Sequence, residues 1–302
     1  MYQTRHMTVE QRISKMNVSM KLKFFISWLF YPTGVNLKDT AKVINFKLYH
    51  LFKIFWYIIN GSDISSAIKK AKTDFLQNKI NVVVKSKDGL LFHIMDGDAL
   101  EKIQEYREDF VDEHFRPQNN DVVVDVGAHI GIYTLRASRL LSNKGKVFAI
   151  EPDPVTFLRL KENVQLNKAT NVTPINVAIF SENKKVKLYQ SKFSSANSIK
   201  FEVGTDYIEV DAYTLDKILK KYGHDRVEWI KVDVEGAEKE VLDGASKLLS
   251  QNNALKVILE IHSQDVISDI EKILHKNNFT LTYHRYTDSK ISYILAERLI
   301  LS

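Results

Sequence analysis

The 302-residue chain has no cysteine. That excludes disulfides, a thiolate metal site and a cysteine nucleophile, and it leans towards a reducing, cytoplasmic setting. Nothing near the start has the layout of a signal peptide, because residues 1–23 are polar and mixed and no small-residue cleavage site follows Phe24–Tyr31. Long apolar runs are missing too. Lys23–Tyr31 (KFFISWLFY) is about half the length of a membrane span. Ile44–Ile59 (INFKLYHLFKIFWYII) is short and carries Lys47 and Lys53, each costing roughly 2.5–3.5 kcal/mol at a bilayer centre. Internal repeats and low-complexity tracts are also absent.

What is present is an ordinary globular composition, 44% hydrophobic and 26% charged, with an uneven charge distribution. Residues 1–90 hold 15 Lys and Arg against 5 Asp and Glu, whereas residues 91–302 hold 28 against 32. The basic character belongs to the front of the chain. There, Ile44, Leu48, Leu51, Phe52, Phe55, Ile58 and Ile59 recur at helical spacing, with Lys47, His50 and Lys53 on the other side. Such helices pack on the rest of the protein or on another copy. Alternatively, residues 23–60 lie on an anionic membrane surface, at its cytoplasmic face. The chain divides on pattern into a basic, aromatic-rich helical extension (1–75), a hairpin and helix (76–120) and a main domain (121–302).

Asp88-Gly89 joins two alternating runs, Ile80–Ser86 and Leu90–Ile94, as a hairpin. Asp98–Phe115 reads as a helix with Asp98 as its N-cap. From Asp121 strands and helices alternate. Strands are expected at 122–126, 146–150, 171–179, 229–232 and 256–261, and helices at 131–141, 155–167, 237–249 and 264–276. Two runs, 184–190 and 207–210, read as an inserted hairpin. The last strands, 280–284 and 292–296, are too close for a crossover helix and form an antiparallel pair. The expected class is α/β, with a mainly parallel sheet covered on both faces.

The segment Asp121–Thr134 (DVVVDVGAHIGIYT) is a strand, a glycine turn and a helix start, the geometry that holds a nucleotide-like cofactor. A dinucleotide fingerprint needs a first glycine where this chain has Asp125. A carboxylate there repels a pyrophosphate. It suits S-adenosylmethionine, which carries an ammonium and a sulfonium. A charge pair at about 4 Å is worth on the order of 4 kcal/mol at an effective dielectric of 20, before desolvation. Gly127 lets the backbone approach the ligand, and Gly131 lets the helix start sit close. Glu151 ends the second strand about 20 residues on, where an acid accepts both ribose hydroxyls.

These motifs, with AIEPDPVTFLRLKENVQLN, the NVAI that ends the third strand, TLD at Thr214–Asp216, IKVDVEGAEKEVLDGA and ILEIH, resemble the FkbM family of S-adenosylmethionine-dependent methyltransferases. The resemblance runs from about Asp121 to His262. It implies a class I, Rossmann-like sheet of strand order 3-2-1-4-5-7-6 with strand 7 antiparallel, and O-methylation of sugars or secondary metabolites. By matching, Asp125, Gly127 and Gly131 hold the methionine part, Glu151 the ribose and Ala178 the adenine edge. The family commonly has Asn at the position of His129, which is included among the cofactor-binding positions.

Catalytic groups in such sheets gather at the carboxyl ends of strands, which places Asp233, Glu235, Glu260 and His262 together. Asp233 is the expected base or acceptor-orienting group, with Glu235 and His262 beside it. No metal is assigned, although carboxylates with one imidazole suit a divalent ion. Glu238 reads as a first-turn acid that reciprocates a cap. Ser194–Ser198 lines the acceptor pocket or is a plain polar loop. The expected acceptor is a hydroxyl, of a sugar in a glycan or glycolipid. The rivals are another small-molecule methyltransferase, an RNA methyltransferase and a non-catalytic scaffold at a membrane or in a complex. Residues 91–302 are net acidic, and no RNA-binding module or Asn/Asp-Pro-Pro-aromatic block is present, which argues against nucleic acid.

Overall fold

The computed structural model describes Leu29, Tyr31 and residues 33–105, 109–142, 144–202, 205–252, 255–286 and 291–298. Most of the Lys23–Tyr31 segment therefore lies outside the described residues. The chain forms two compact units, residues 1–89 with 95–104, and residues 90–94 with 105–302.

The first unit is built on α1 (Leu37–Ile59) and α2 (Ile64–Gln77), followed by strand β1 (Lys79–Lys85). Asn36 caps α1 by accepting from Asp39 N at 2.8 Å, and Asp63 caps α2 by accepting from Ser66 N at 3.0 Å. The helices lock through Asp74, which accepts from Lys53 Nζ at 2.7 Å and Tyr57 Oη at 2.6 Å. Phe75 stacks between Phe46 and His50 with ring centroids 5.0 and 5.2 Å away. The buried side of α1 carries Val43, Lys47 and His50, and not its apolar stripe. Lys47 donates to the Tyr31 carbonyl at 2.6 Å, and burial lowers its pKa to about 7. The amphipathic period is present as expected. The buried side is the one that sequence pattern marks as polar.

Around Asp88-Gly89 both expected strands form, β1 and β2 (Leu91–Asp96), and Gly89 N–H closes the turn onto the Ser86 carbonyl at 2.9 Å. The next helical stretch is α3 (Gly97–Glu105) and α4 (Asp109–His114). Asp96, not Asp98, does the capping, accepting from Ala99 N at 2.9 Å.

The second unit is organised by a seven-stranded sheet. Its strands are β3 (Val122–Val126), β4 (Lys146–Ile150), β5 (Val172–Ile175), β9 (Trp229–Asp233), β10 (Lys256–Ile261), β11 (Phe279–Tyr286) and β12 (Ser292–Arg298). Their order is β11-β12-β10-β9-β3-β4-β5, and β12 alone runs opposite to the other six. In order of first appearance this is the 3-2-1-4-5-7-6 arrangement. β3, β4, β9 and β10 are almost wholly buried, as continuous apolar runs covered on both faces should be. The covering helices include α5 (Ile132–Leu140), α6 (Pro154–Leu166), α7 (Leu215–Lys221), α8 (Glu238–Asp243), α9 (Ser246–Gln251) and α10 (Ile267–Lys276).

Two boundaries differ from the sequence reading. The expected strand 171–179 is broken: after β5 the chain leaves the main sheet, and β6 (Ala178–Ile179) joins β7 (Lys184–Tyr189) and β8 (Tyr207–Tyr213) in a second sheet of order β6-β8-β7. The expected helix 237–249 is two helices. A Cβ at Gly244 would lie 2.1 Å from the Phe180 carbonyl oxygen, and Asp216 restarts the chain as α9 by accepting from Lys247 N and Leu248 N, both at 2.9 Å. The TLD motif thus has a structural job at two helix starts, since Thr214 caps α7.

Candidate active site

The site lies at the carboxyl ends of β3, β4, β9 and β10. On its donor side, β3 ends in Asp125-Val126 and the chain turns through Gly127 at φ +83° and His129 at φ +50° before Gly131 at φ +94° opens α5. A Cβ on Gly127 would stand 1.7 Å from the Asp233 carbonyl oxygen, so this glycine brings the turn against the end of β9. His129 holds a left-handed conformation that Asn and His tolerate better than most residues, which explains why either can occupy this position.

Asp125 is 1% exposed. Its Oδ2 accepts from Thr134 Oγ1 at 2.6 Å, while its Oδ1 is buried without a hydrogen-bond partner. Burial raises its pKa, opposed by the Lys231 charge and the Thr134 hydrogen bond. A buried carboxylate oxygen left unsatisfied is costly unless a ligand donates to it or brings positive charge. Glu151 accepts from His129 N and Asp153 N, each at 2.9 Å, so it also fastens the glycine turn. Burial outweighs those two donors and lifts its pKa to about 8. Asp153 in turn caps α6 by accepting from Thr156 N at 2.7 Å.

Ala178 lies in β6 opposite Ala212. Asn176, two residues before it, donates from Nδ2 to the Glu151 and Pro152 carbonyls at 2.8 and 3.0 Å. It was not singled out from the sequence.

At the ends of β9 and β10 a ring of acids surrounds one imidazole. Asp233 and Glu260 are register neighbours on β9 and β10, which brings them together although 27 positions separate them. His262 follows directly after β10. Its Nε2 lies 3.5 Å from Glu235, 3.7 Å from Glu260 and 3.9 Å from Asp233, and its Nδ1 is 3.0 Å from Glu238 Oε1. Glu238 is fully buried and also accepts from Gly236 N at 2.9 Å. The cap expected for this acid exists, and the same carboxylate orients the histidine. Burial pulls the His262 pKa down, but the Glu238 hydrogen bond and the charges of Asp233, Glu235 and Glu260 carry it to about 10. The ring is therefore an imidazolium at neutral pH. Asp233 and Glu235 remain about one-quarter exposed.

Lys231 stands two residues before Asp233 on the same strand face and across from Asp125 in register. Its ammonium is 3.2 Å from Asp233 Oδ2 and 4.6 Å from the centre of the Tyr133 ring. A lysine in an otherwise apolar strand is the signal that could have flagged it. Tyr293, from β12, reaches Glu260 Oε1 at 3.2 Å. From the insert, Ser198 Oγ donates to the Glu235 carbonyl at 2.6 Å, and the Phe201 ring closes over Gly236, where a Cβ would meet it at 2.2 Å. Glu235 and Gly236 both hold positive φ beneath this cover, +51° and +106°.

Asp233, Glu235 and His262 can each offer one ligand atom, all within 4.8 Å of one another, which is also a geometry for a metal. The imidazolium and the buried Lys231 supply two positive charges against the four carboxylates of this ring.

A seven-stranded sheet of this order, a glycine turn under a buried aspartate and acids at the next two strand ends define a class I, Rossmann-like methyltransferase fold. The chain belongs to the FkbM methyltransferase family: the model of the Methyltransferase FkbM domain matches residues 125–281, about half of the chain. Among curated proteins it is 32% identical over 158 residues to the hexuronic acid methyltransferase AglP of Haloferax volcanii, covering 52% of this chain and 62% of that protein. It is 27% identical over 241 residues to the methyltransferase sdnD of Sordaria araneosa, covering 66% of this chain and 92% of that one. Among solved structures, a methyltransferase FkbM from Methylobacillus flagellatus is 19% identical with a TM-score of 0.46, over 66% of this chain and 53% of that chain. The matched part of this chain thus spans less than two thirds of the Haloferax and Methylobacillus proteins.

Proposed function

We propose that this protein transfers the methyl group of S-adenosylmethionine to a hydroxyl of a sugar, free or in a glycan or glycolipid. The observation that carries the reading is the proximity of two unlike carboxylate groups. Asp125 has an unsatisfied buried oxygen on the donor side, and Asp233, whose carbonyl touches the same turn, presents a partly exposed carboxylate on the acceptor side.

The donor residues fit the proposed cofactor. Asp125 Oδ1 lacks the partner that a cationic group would supply, and Glu151 has acceptor capacity for hydroxyl donors. When bound, S-adenosylmethionine supplies a methyl on a positively charged sulfur. Gly127 and Gly131 let the turn pack against the end of β9 and against Leu160. The donor would supply a methyl for displacement by an acceptor oxygen, so orientation of that oxygen by this chain's residues would contribute much of the rate. The hydroxyl proton passes to a carboxylate. His262 is already protonated and cannot take it, which leaves Asp233 as base with Glu235 as the second acceptor-facing acid. Glu238 locks the imidazolium from behind, and Lys231 faces Asp233 from below.

The name of the Haloferax relative supports a sugar acceptor. The ring supports a neutral hydroxyl over a phosphate backbone: four carboxylates meet two cations there, a net negative site that repels a polyanion. The test has two arms. Calorimetric titration with S-adenosylmethionine and with NAD should show saturable binding of the methyl donor, and binding of NAD alone would sink the reading. Labelled donor is then offered with a panel of free and lipid-linked uronic and neutral sugars, alongside RNA. Label on RNA, or on no acceptor despite tight donor binding, would overturn the sugar assignment.

A further inference from the structure

The helix α1 turns the wrong side outwards. Its buried residues are Val43, Lys47 and His50, while Leu37, Phe52, Phe55 and Ile59 are between 60% and 90% exposed. At about 100° per residue, Leu37, Leu48, Phe52, Phe55 and Ile59 fall within an arc of roughly 60°, and Tyr49 and Trp56 widen it. The buried residues lie diametrically opposite. Rotation of α1 cannot hide the stripe, because Lys47 is tied to Tyr31, and Lys53 and Tyr57 to Asp74. The start of α2 adds Ile64 and Ile68, one turn apart and both exposed. An exposed apolar stripe of this length marks a docking surface.

We infer that the outer face of α1 docks on an anionic lipid bilayer, lying in the plane of its interface. The chemistry of the surroundings selects this occupant. Lys38, Lys69 and Lys70 are exposed on α1 and α2, and so are Lys42 and Lys72, which pair with Asp39 at 3.9 Å and Glu101 at 3.0 Å. The three carboxylates of these two helices and their caps are already engaged: Asp39 by Asn36 Nδ2, Asp63 by Ser66 N and Asp74 by Lys53 and Tyr57. The net field is positive. A second copy of the chain docking face to face would set lysines against lysines. A nucleic acid would leave the leucine and isoleucine side chains with nothing apolar to pack on. A bilayer takes both features, because aliphatic and aromatic groups enter the acyl boundary while lysines meet anionic headgroups. Trp56 and Tyr49, both exposed, are the amphipathic ring types that favour this depth. No helix among the described residues is long and apolar enough to cross a membrane, which fits docking in the plane.

The test is co-flotation of the full chain with phosphatidylcholine vesicles, with and without phosphatidylserine. The expected result is flotation with the serine-containing vesicles, weakened by added salt. Replacing Phe52, Phe55 and Ile59 together by serine should reduce the bound fraction by about tenfold or more. Lys38→Glu with Lys69→Glu should reduce it several-fold. All five positions are exposed, so circular dichroism and the unfolding midpoint should stay at wild-type values, and a fall in either is compared with Leu37→Ser, which alters the stripe at its exposed end. The inference is overturned if the wild-type chain does not float, if the triple variant floats equally, or if neutral vesicles serve as well as anionic ones. It is also overturned if the triple variant turns a dimer into a monomer in light scattering and neither form binds vesicles, which would assign the face to a second copy.

Discussion

The two halves of the site hold carboxylates in opposite electrostatic states. On the donor side Asp125 and Glu151 are buried with backbone and hydroxyl donors, and both have raised pKa values, Glu151 to about 8. On the acceptor side Asp233, Glu235, Glu238 and Glu260 surround a histidine that they hold protonated, and Lys231 adds a second cation. The acceptor side sets two cations against four carboxylates. The donor side keeps a buried carboxylate oxygen of Asp125 without a partner. On the proposed reading, that oxygen meets the cationic part of the methyl donor, and the partly exposed acids of the other half meet the hydroxyl and its proton.

The comparison can be broken from either side. The largest effect is expected for Asp233→Asn, which removes the base but keeps the shape. Its kcat should fall on the order of 10²- to 10⁴-fold while donor affinity changes little, measured by single-turnover transfer and calorimetry. Equal loss of donor affinity would move Asp233 to the donor half. Next, His262→Ala leaves buried carboxylates without their cation and should cost about 3–5 kcal/mol of stability, seen in denaturant unfolding. The histidine pKa is raised above its unfolded value near 6.5, so its contribution is complete below pH 6.5 and is lost as pH rises through about 10. The wild-type unfolding midpoint should therefore fall across that window, and the variant should lose this slope.

On the donor half, Asp125→Asn should weaken S-adenosylmethionine binding by about tenfold or more, with turnover at saturating donor reduced much less. The smallest effect sharpens the contrast most. Glu151 has a folded pKa raised from 4.5 to about 8, so its contribution to stability is present below pH 4.5 and is lost as pH rises through 8. A ligand that donates hydrogen bonds to the ionised form recovers that loss. Donor affinity should rise with pH below 8, by at most about tenfold per unit, with proton release visible in buffers of different ionisation heat. Glu151→Gln should flatten the slope, and an unchanged slope would detach Glu151 from the ligand.

The parallel core was readable because continuous apolar runs, glycine turns and strand-end acids are local features. Asp125, Gly127, Gly131, Glu151 and Asp233 each announce themselves within a few neighbours. The broken third strand and the split helix at Gly244 were not readable, since both arise where distant segments approach: β8 captures Ala178, and the Phe180 carbonyl crowds Gly244. The contacts of Lys231, Tyr293 and Ser198, and the bond from Glu238 to His262, were hidden for the same reason. Each acts through a partner that the sheet order supplies.

The resemblance to the FkbM family implied the sheet order; by itself the sequence determined most of the strands and helices and the presence of an acid where a pyrophosphate-binding loop has glycine. Those follow from side-chain volume, charge and period over short windows. Tertiary structure decided that His262 is a cation held by four acids, and which side of α1 the molecule covers. A hydrophobic period shows that a helix has two unlike faces. Only the groups packed against it, here Tyr31, Asp74 and Phe75, determine which face is buried.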